Sequence, residues 1–369
     1  MVDRIKVLHV VPHMGIGGIN RFVLDIVRYQ KEHPIVEIGI YVCSTNTPPQ
    51  WGDICNSLNV KVFWGNIRPS DLNLLHYRHF LKVRDKYDVI HWHWFSPILS
   101  MFTLFDDKVS VFTHHSVLGV GRKSKWSDKL KWRLFKFFIN NRVDCEVYNS
   151  EYTRSFWQSF GLNARQNTLI YNGACFDEDV PETHNSLTKL DGKFVIGTIT
   201  TLIGCKRNGL LIEAFGRWAK DKDDVTLVIV GDGPERERLT TIVAEYGIGD
   251  KVLFEGYQSD VTPYRNRMDL CVFPSTTETF GLAALESMHA RKPVVAMSDG
   301  GGICEVVGDK RNIVDNIDEM LSRFDYYYNL DSETMSKECE MAYNRSLLFN
   351  MRDKAVEYIK VYCGLLKGV

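Results

Sequence analysis

The 369-residue sequence has no apolar run approaching the 18 residues that a membrane-crossing helix needs. Its first residues enter a strand pattern almost at once, without the organisation of a secretory leader. Together these absences set the expectation of a cytoplasmic protein. There is no C-x-x-C and no Cys/His pair at zinc spacing, and the nine cysteines, from Cys43 to Cys363, are odd in number. A disulfide framework and a structural metal are therefore not indicated, and reduced thiols are expected. Neither sign of charge dominates: 45 Lys and Arg against 46 Asp and Glu give a formal net charge of −1, so no whole-chain argument for nucleic-acid binding exists. What is present is the 44% hydrophobic and 25% charged composition of a globular protein, in a chain long enough for two domains.

Short apolar runs alternate with helical patterns along the whole chain. Strands are expected at 5–11, 36–43, 60–64, 88–92, 109–113, 145–148 and 168–171, and again at 194–199, 225–230, 252–254, 269–273 and 293–297. Strands separated by helices imply parallel βαβ units and open α/β sheets. The polar stretch 172–192 shows no period and reads as the connection between two Rossmann-like domains, 1–172 and 190–344. Ligands of such sheets bind beyond the carboxyl ends of the strands, so two facing domains would share one cleft.

The most informative segment is Ser275-Thr276-Thr277-Glu278-Thr279-Phe280-Gly281-Leu282-Ala283-Ala284-Leu285-Glu286. Glu278 and Glu286 stand eight residues apart, with a glycine turn between them and a helix expected to open over Phe280, Gly281 and Leu282. Unpaired N–H groups and the positive end of the helix dipole make that start an anion site. A carboxylate on either side can accept hydrogen bonds from hydroxyls, so the segment reads as a receptor for a nucleotide sugar. A glycosidase pair must flank a scissile bond, whereas this pair flanks a phosphate-binding helix start.

This segment resembles the E-x7-E motif of retaining GT-B glycosyltransferases of family 4, the group 1 type. Val228-Ile229-Val230-Gly231-Asp232-Gly233-Pro234-Glu235 is similar to that family's strand-to-turn signature. So are Val252 to Tyr257, Lys292-Pro293-Val294-Val295-Ala296, Gly300-Gly301-Gly302 with Glu305, and Val7 to Val11 running into Gly15-Ile16-Gly17-Gly18. In order, these elements cover roughly 4–310. The resemblance implies the GT-B fold and retaining transfer from a nucleotide sugar without a metal or other cofactor. It also implies a last helix, within 345–369, that returns to the first domain.

By the resemblance, Glu278 holds donor-sugar hydroxyls, Glu286 the ribose, and Lys206 the diphosphate, with Thr201 standing where the family has an arginine five residues before the lysine. Arg207 is the neighbouring cation able to supply that charge. His115, in Val111-Phe112-Thr113-His114-His115, takes the place of the family histidine that reaches the transferred sugar. Gly15, Gly17 and Gly18 lie near the donor phosphates, and Tyr257 follows the strand end where the base binds. An NAD fingerprint is disfavoured because Asn20 occupies its last glycine position and no acid ends the second strand. His91 and His93 alternate on a strand, but no third metal ligand is evident, and packing is the expected role. Asp221-Lys222-Asp223 matches a D-x-D metal pattern yet sits in a charged run of solvated character.

Residues 119–140 carry seven Lys/Arg against one Asp, +6 in an otherwise balanced chain. At helical spacing Trp126, Leu130, Leu134, Phe137 and Phe138 form one apolar stripe, expected to pack on the domain. Trp132, Phe135 and Ile139 form a second arc beside Lys125, Lys129 and Lys136, expected to lie on an anionic membrane surface. Two functions stay open: transfer of a sugar, with a UDP-sugar favoured by family frequency, to a glycan or lipid-linked acceptor in cell-surface polysaccharide synthesis at the inner face of the membrane; or a binding subunit of a partner enzyme, whose diphosphate grip is weakened at Thr201. A GT-B epimerase acting on sugar nucleotides fits the carboxylate spacing less well.

Overall fold

The structure is a computed structural model that describes residues 4–15, 18–44, 49–65, 74–103, 107–117, 126–176 and 190–367. The chain divides into two compact units, Met1–Cys175 with Asn350–Val369, and Phe176–Phe349.

The first unit contains a seven-stranded sheet in the order β3-β2-β1-β4-β5-β6-β7, with every ladder parallel. Its strands are β1 (Ile5–Val11), β2 (Val36–Val42), β3 (Lys61–Trp64), β4 (Val89–Trp92), β5 (Val109–His114), β6 (Cys145–Tyr148) and β7 (Gln166–Leu169). Burial on both faces explains the dense apolar runs of β1, β2, β4, β5 and β6, whereas the edge strands β3 and β7 are partly exposed. In β1, Val7 and Val11 enter one core layer and Leu8 and Val10 the other, as the two-residue period of a strand requires. The helix Gly18–Gln30 and the last helix, Met351–Lys367, cover the first of these layers, where Phe22, Val23, Tyr358 and Tyr362 are buried together. The return to this unit begins at Asn350, which bridges to Ala174, while Met351 N–H donates to Ala174 O at 3.0 Å. Residues 345–349, expected with the first domain, stay with the second: Arg345 donates to the carbonyls of Val306 and Glu305, and Phe349 packs edge-on to Phe280 at 5.5 Å.

The second unit contains a six-stranded parallel sheet in the order β10-β9-β8-β11-β12-β13. Its strands are β8 (Phe194–Ile199), β9 (Val225–Val230), β10 (Val252–Gly256), β11 (Leu270–Phe273), β12 (Val294–Met297) and β13 (Ile313–Val314). Two-residue β13 was not expected, since two residues carry no detectable period. Each unit is therefore a Rossmann-like α/β layer with a reversal of strand order, between β1 and β4 in one and between β8 and β11 in the other. Loops after those strands are where such sheets bind ligands.

Candidate functional site

Two loci occupy these switch points, one in each unit. In the second unit, the chain leaves β8 through Thr200–Ile203 into a 3-10 turn, Gly204–Lys206, and leaves β11 towards the helix Leu282–His289. The two loops are tied by Thr276 N–H donating to Cys205 O at 2.9 Å. Lys206 Nζ and Glu278 Oε1 form an ion pair, with both side chains about one-fifth exposed. The Glu278 backbone is clamped independently of its side chain: its N–H donates to Gly300 O at 2.9 Å, and its carbonyl accepts from Gly302 N–H at 2.8 Å. That clamp needs Gly301 at φ 79°, ψ −134°, a conformation reserved to glycine. Gly231, at φ 130°, lies so close to the β8 loop that a Cβ would sit 1.9 Å from Thr200 O. The two glycine signatures read in the sequence thus serve to hold the Lys206 and Glu278 loops.

The helix itself starts at Leu282, not over Phe280. Gly281 caps it at φ 99°, and Phe280 is buried at 2% exposure against Phe349. Phe280 therefore contributes its side chain to the core. Glu286, on the helix's second turn, accepts from Arg265 Nη2 at 2.5 Å. Arg265 comes from the helix Thr262–Arg267; with no fixed spacing to the motif, it gave no signal in the sequence. Tyr257 is 64% exposed just after β10. Arg207 sits in the left-handed region at φ 49°. Its Nε donates to Pro274 O at 2.7 Å, and its two Nη groups reach Asp299 at 3.1 and 2.5 Å. The Arg207 guanidinium is thus paired with Asp299 and fastens the β11 loop.

In the first unit, Gly15 and Gly18 follow β1, and Asn20 Nδ2 donates to Gly15 O at 2.8 Å, shaping the entry to the helix that begins at Gly18. Gly17 lies outside the described residues. His115 is the first residue after β5 and is half-buried. Its neighbour His114 is taken up by the core, where its Nε2 meets Glu146 Oε1 at 2.9 Å with both side chains 1% exposed. His114 is thus enclosed, whereas His115 keeps partial exposure. Desolvation first, then repulsion from His114, lowers the His115 pKa, so the ring is neutral at ordinary pH.

His91 and His93 do acquire a third histidine nearby, His9 on the adjacent strand β1, and their ligating atoms lie within 4.8 Å of one another. All three are buried and neutral: desolvation lowers His9 to about 4 and pushes His91 and His93 well below the usual histidine range. Each of their six ring nitrogens has a protein partner. His9 Nε2 pairs with Gln30 Oε1 and His9 Nδ1 with His93 Nε2, both at 2.8 Å. His93 Nδ1 pairs with His115 Nε2 at 2.9 Å. His91 pairs through Nδ1 with Tyr362 OH and through Nε2 with Thr113 Oγ1, both at 2.7 Å.

The helix Trp126–Arg142 corrects the assignment of its two faces. Phe135, Phe138, Ile139 and Arg142 are buried at the i, i+3, i+4, i+7 positions of one stripe. Trp132 stacks on Trp157 with centroids 5.8 Å apart, and Lys136 Nζ donates to Phe160 O at 3.1 Å. Trp132, Phe135 and Lys136 therefore face the protein and not a membrane. Phe137, about 200° round the helix from Phe135, is 53% exposed and Leu130 45%, among the exposed Lys129, Lys131 and Arg133. Lys125 lies outside the described residues.

Residues 16–177 match the family described as Glycosyltransferase Family 4, and residues 179–332 match Glycosyl transferases group 1. The 2-deoxystreptamine glucosyltransferase of Streptomyces kanamyceticus is 32% identical over 120 residues, 32% of this chain and 31% of that protein. The alpha-1,3/1,6-mannosyltransferase ALG2 of Dictyostelium discoideum is 26% identical over 364 residues, 85% of this chain and 86% of that protein. The chain thus spans under a third of the first relative's own length and most of the second's. Among solved structures, Anabaena HepE in complex with UDP and glucose superposes with a TM-score of 0.80 at 19% identity, over 98% of this chain and 100% of that one. With two parallel Rossmann-like sheets, the paired carboxylates at the second switch point and matches that together run from residue 16 to residue 332, the chain belongs to the group 1, family 4 glycosyltransferases and has the GT-B fold.

Proposed function

We propose that this chain transfers a sugar from a nucleotide sugar to a glycan or lipid-linked acceptor, with retention of configuration and without a metal. The observation that carries the reading is the Lys206–Glu278 ion pair at the β8/β11 switch point, with Glu286 eight residues further along the same loop and helix. Lys206 is the fixed cation for the leaving diphosphate. The helix start at Leu282 adds backbone N–H groups, and Glu278 accepts from a donor-sugar hydroxyl. Glu286, oriented by Arg265, accepts from the ribose. Their contribution is positioning and electrostatic stabilisation of the departing group. A UDP-sugar is the first candidate donor, since the structurally similar Anabaena protein is described with UDP and glucose.

Calorimetric titration with UDP, GDP and ADP and their common sugars, with and without chelator, tests this directly. Selective stabilisation by one nucleotide, unchanged by chelator, is the expected result. A second reading, a binding subunit with little transfer activity, is favoured by one observation: Thr201 replaces the family arginine, and Arg207 is already paired with Asp299. If no nucleotide binds, that reading prevails.

The face of Leu130 and Phe137, ringed by Lys129, Lys131 and Arg133, supports attachment to an anionic membrane surface in cell-surface polysaccharide synthesis. Burying one such apolar side chain contributes about 2 kcal/mol, so Phe137→Ser or Leu130→Ser is expected to weaken binding to phosphatidylglycerol vesicles about tenfold or more. Flotation at matched salt measures it. Equal flotation of wild type and both variants would remove the helix from the membrane assignment.

A further inference from the structure

The buried histidines have a direction. His9, His91 and His93, with Thr113 and His115, lie on one face of β1, β4 and β5, the face covered by the helix Gly18–Gln30 and the C-terminal helix. Gln30, fully buried at the end of the first helix, touches both arms of this network with one amide. Its Oε1 lies 2.8 Å from His9 Nε2, and its Nε2 lies 3.3 Å from Tyr362 OH. A carbonyl oxygen only accepts, so His9 carries its proton on Nε2, and its Nδ1 is an acceptor. His93 must then donate from Nε2 to His9 Nδ1, which leaves His93 Nδ1 as an acceptor. His115 must donate from Nε2 to His93 Nδ1. The other arm is polarised by the same rule. The Gln30 amine donates to Tyr362 OH, Tyr362 donates to His91 Nδ1, His91 Nε2 donates to Thr113, and Thr113 Oγ1 lies 3.1 Å from Tyr358 OH.

We propose that Gln30, acting through His9 and His93, fixes the tautomer of His115, with the proton on Nε2 and the basic lone pair on Nδ1. Gln30, His9 and His93 are positioning residues, none of them among the residues that the sequence marked for donor binding. The depressed pKa values of its three rings agree with such a chain, because a neutral imidazole is both donor and acceptor, whereas a protonated one would break the relay. The same cluster has the size of a metal site, but binding an ion there would sacrifice hydrogen bonds that every ring nitrogen already makes. That the lone pair on Nδ1 matters for sugar transfer rests on the proposed function; the tautomer itself does not.

The test is two-bond 1H–15N correlation of 15N-histidine-labelled protein, with the His115 resonances assigned from His115→Asn. The expected spectrum shows His9, His93 and His115 each protonated on Nε2. In Gln30→Met, which removes acceptor and donor at similar length, His115 is expected to populate both tautomers. Gln30→Glu, which keeps the acceptor, is expected to retain the wild-type form. A wild-type His115 protonated on Nδ1, or a Gln30→Met spectrum identical to wild type, would overturn the proposal. One equivalent of Co2+ should leave the histidine signals unchanged, and stoichiometric binding that shifts them would replace the relay with a metal site. Should Gln30→Met fail to fold, the wild-type spectrum decides alone. In a transfer assay, Gln30→Met is expected to lower kcat about fivefold at unchanged KM, the weight of one hydrogen bond. If the tautomers are as expected but no nucleotide sugar is turned over, the functional reading fails and the relay stands.

Discussion

Glu278→Gln is expected to lower kcat/KM for sugar transfer at least about a hundredfold while the protein remains folded. The loss comes from two directions. Under the proposed function, a carboxylate that accepts from a sugar hydroxyl is replaced by a weaker, half-donating amide, and Lys206 loses the partner that now holds its ammonium in place. Folding should survive because the loop is clamped through the Glu278 backbone by Gly300 and Gly302, and that clamp makes no use of the side chain. Circular dichroism and the melting temperature report the fold, and steady-state kinetics with the donor identified by calorimetry report the rest. Lys206→Met combined with Glu278→Gln should cost little more than either change alone, since the two act as one unit. Wild-type turnover by the single variant would remove Glu278 from the site.

Acid is expected to unfold the first unit from its histidines. His9, His91 and His93 are buried and neutral, with folded pKa values depressed by desolvation, His9 to about 4. In the unfolded chain each titrates near 6.5. Stability is therefore fully present above about pH 7 and is lost as pH falls below 6.5 towards the folded values, because only the unfolded chain takes up the protons. Each histidine contributes up to about 1.4 kcal/mol per pH unit, so the three together give about 4 kcal/mol per unit, a large share of a domain's typical 5–15 kcal/mol. Urea titrations at pH 7.5, 6.5, 6 and 5.5, followed by near-ultraviolet circular dichroism, would measure the slope. A stability independent of pH between 7 and 5.5 would mean that the cluster is hydrated or already protonated. Replacing His93 by Gln should reduce the slope by about one proton.

Much of this architecture was written in local pattern. Twelve of the strands were expected from short runs bounded by turn residues; those buried on both faces leave a dense apolar signal, and two-residue β13 was too short to show. The carboxylate pair and the glycine signatures were legible because each lies within a short stretch of chain, at fixed spacing. The choice of His115 over His114 came from the resemblance, counted from Thr113; in the structure His114 is enclosed at the end of β5 and His115 lies just past it.

Other features were not local. The basic helix contains apolar residues all round, so sequence spacing offered two plausible stripes. Only packing on Trp157, Phe95 and Phe112 decided that Phe135 goes in and Phe137 stays out. Arg207 acquires its partner Asp299, 92 residues later, only in the fold. Glu286 acquired Arg265 in the same way.

The sequence by itself determined the fold class, the two parallel sheets and the loop and helix that carry Glu278 and Glu286, because periodicity and turn chemistry act over a few residues. Tertiary structure alone decided which charges are already paired and which apolar face is exposed. It also assembled His9, Gln30, His91, His93, His115 and Tyr362 into one network. Those groups lie on or just beyond three strands and on two helices, up to 353 positions apart along the chain, and parallel pairing through crossovers brings together residues with no spacing rule between them.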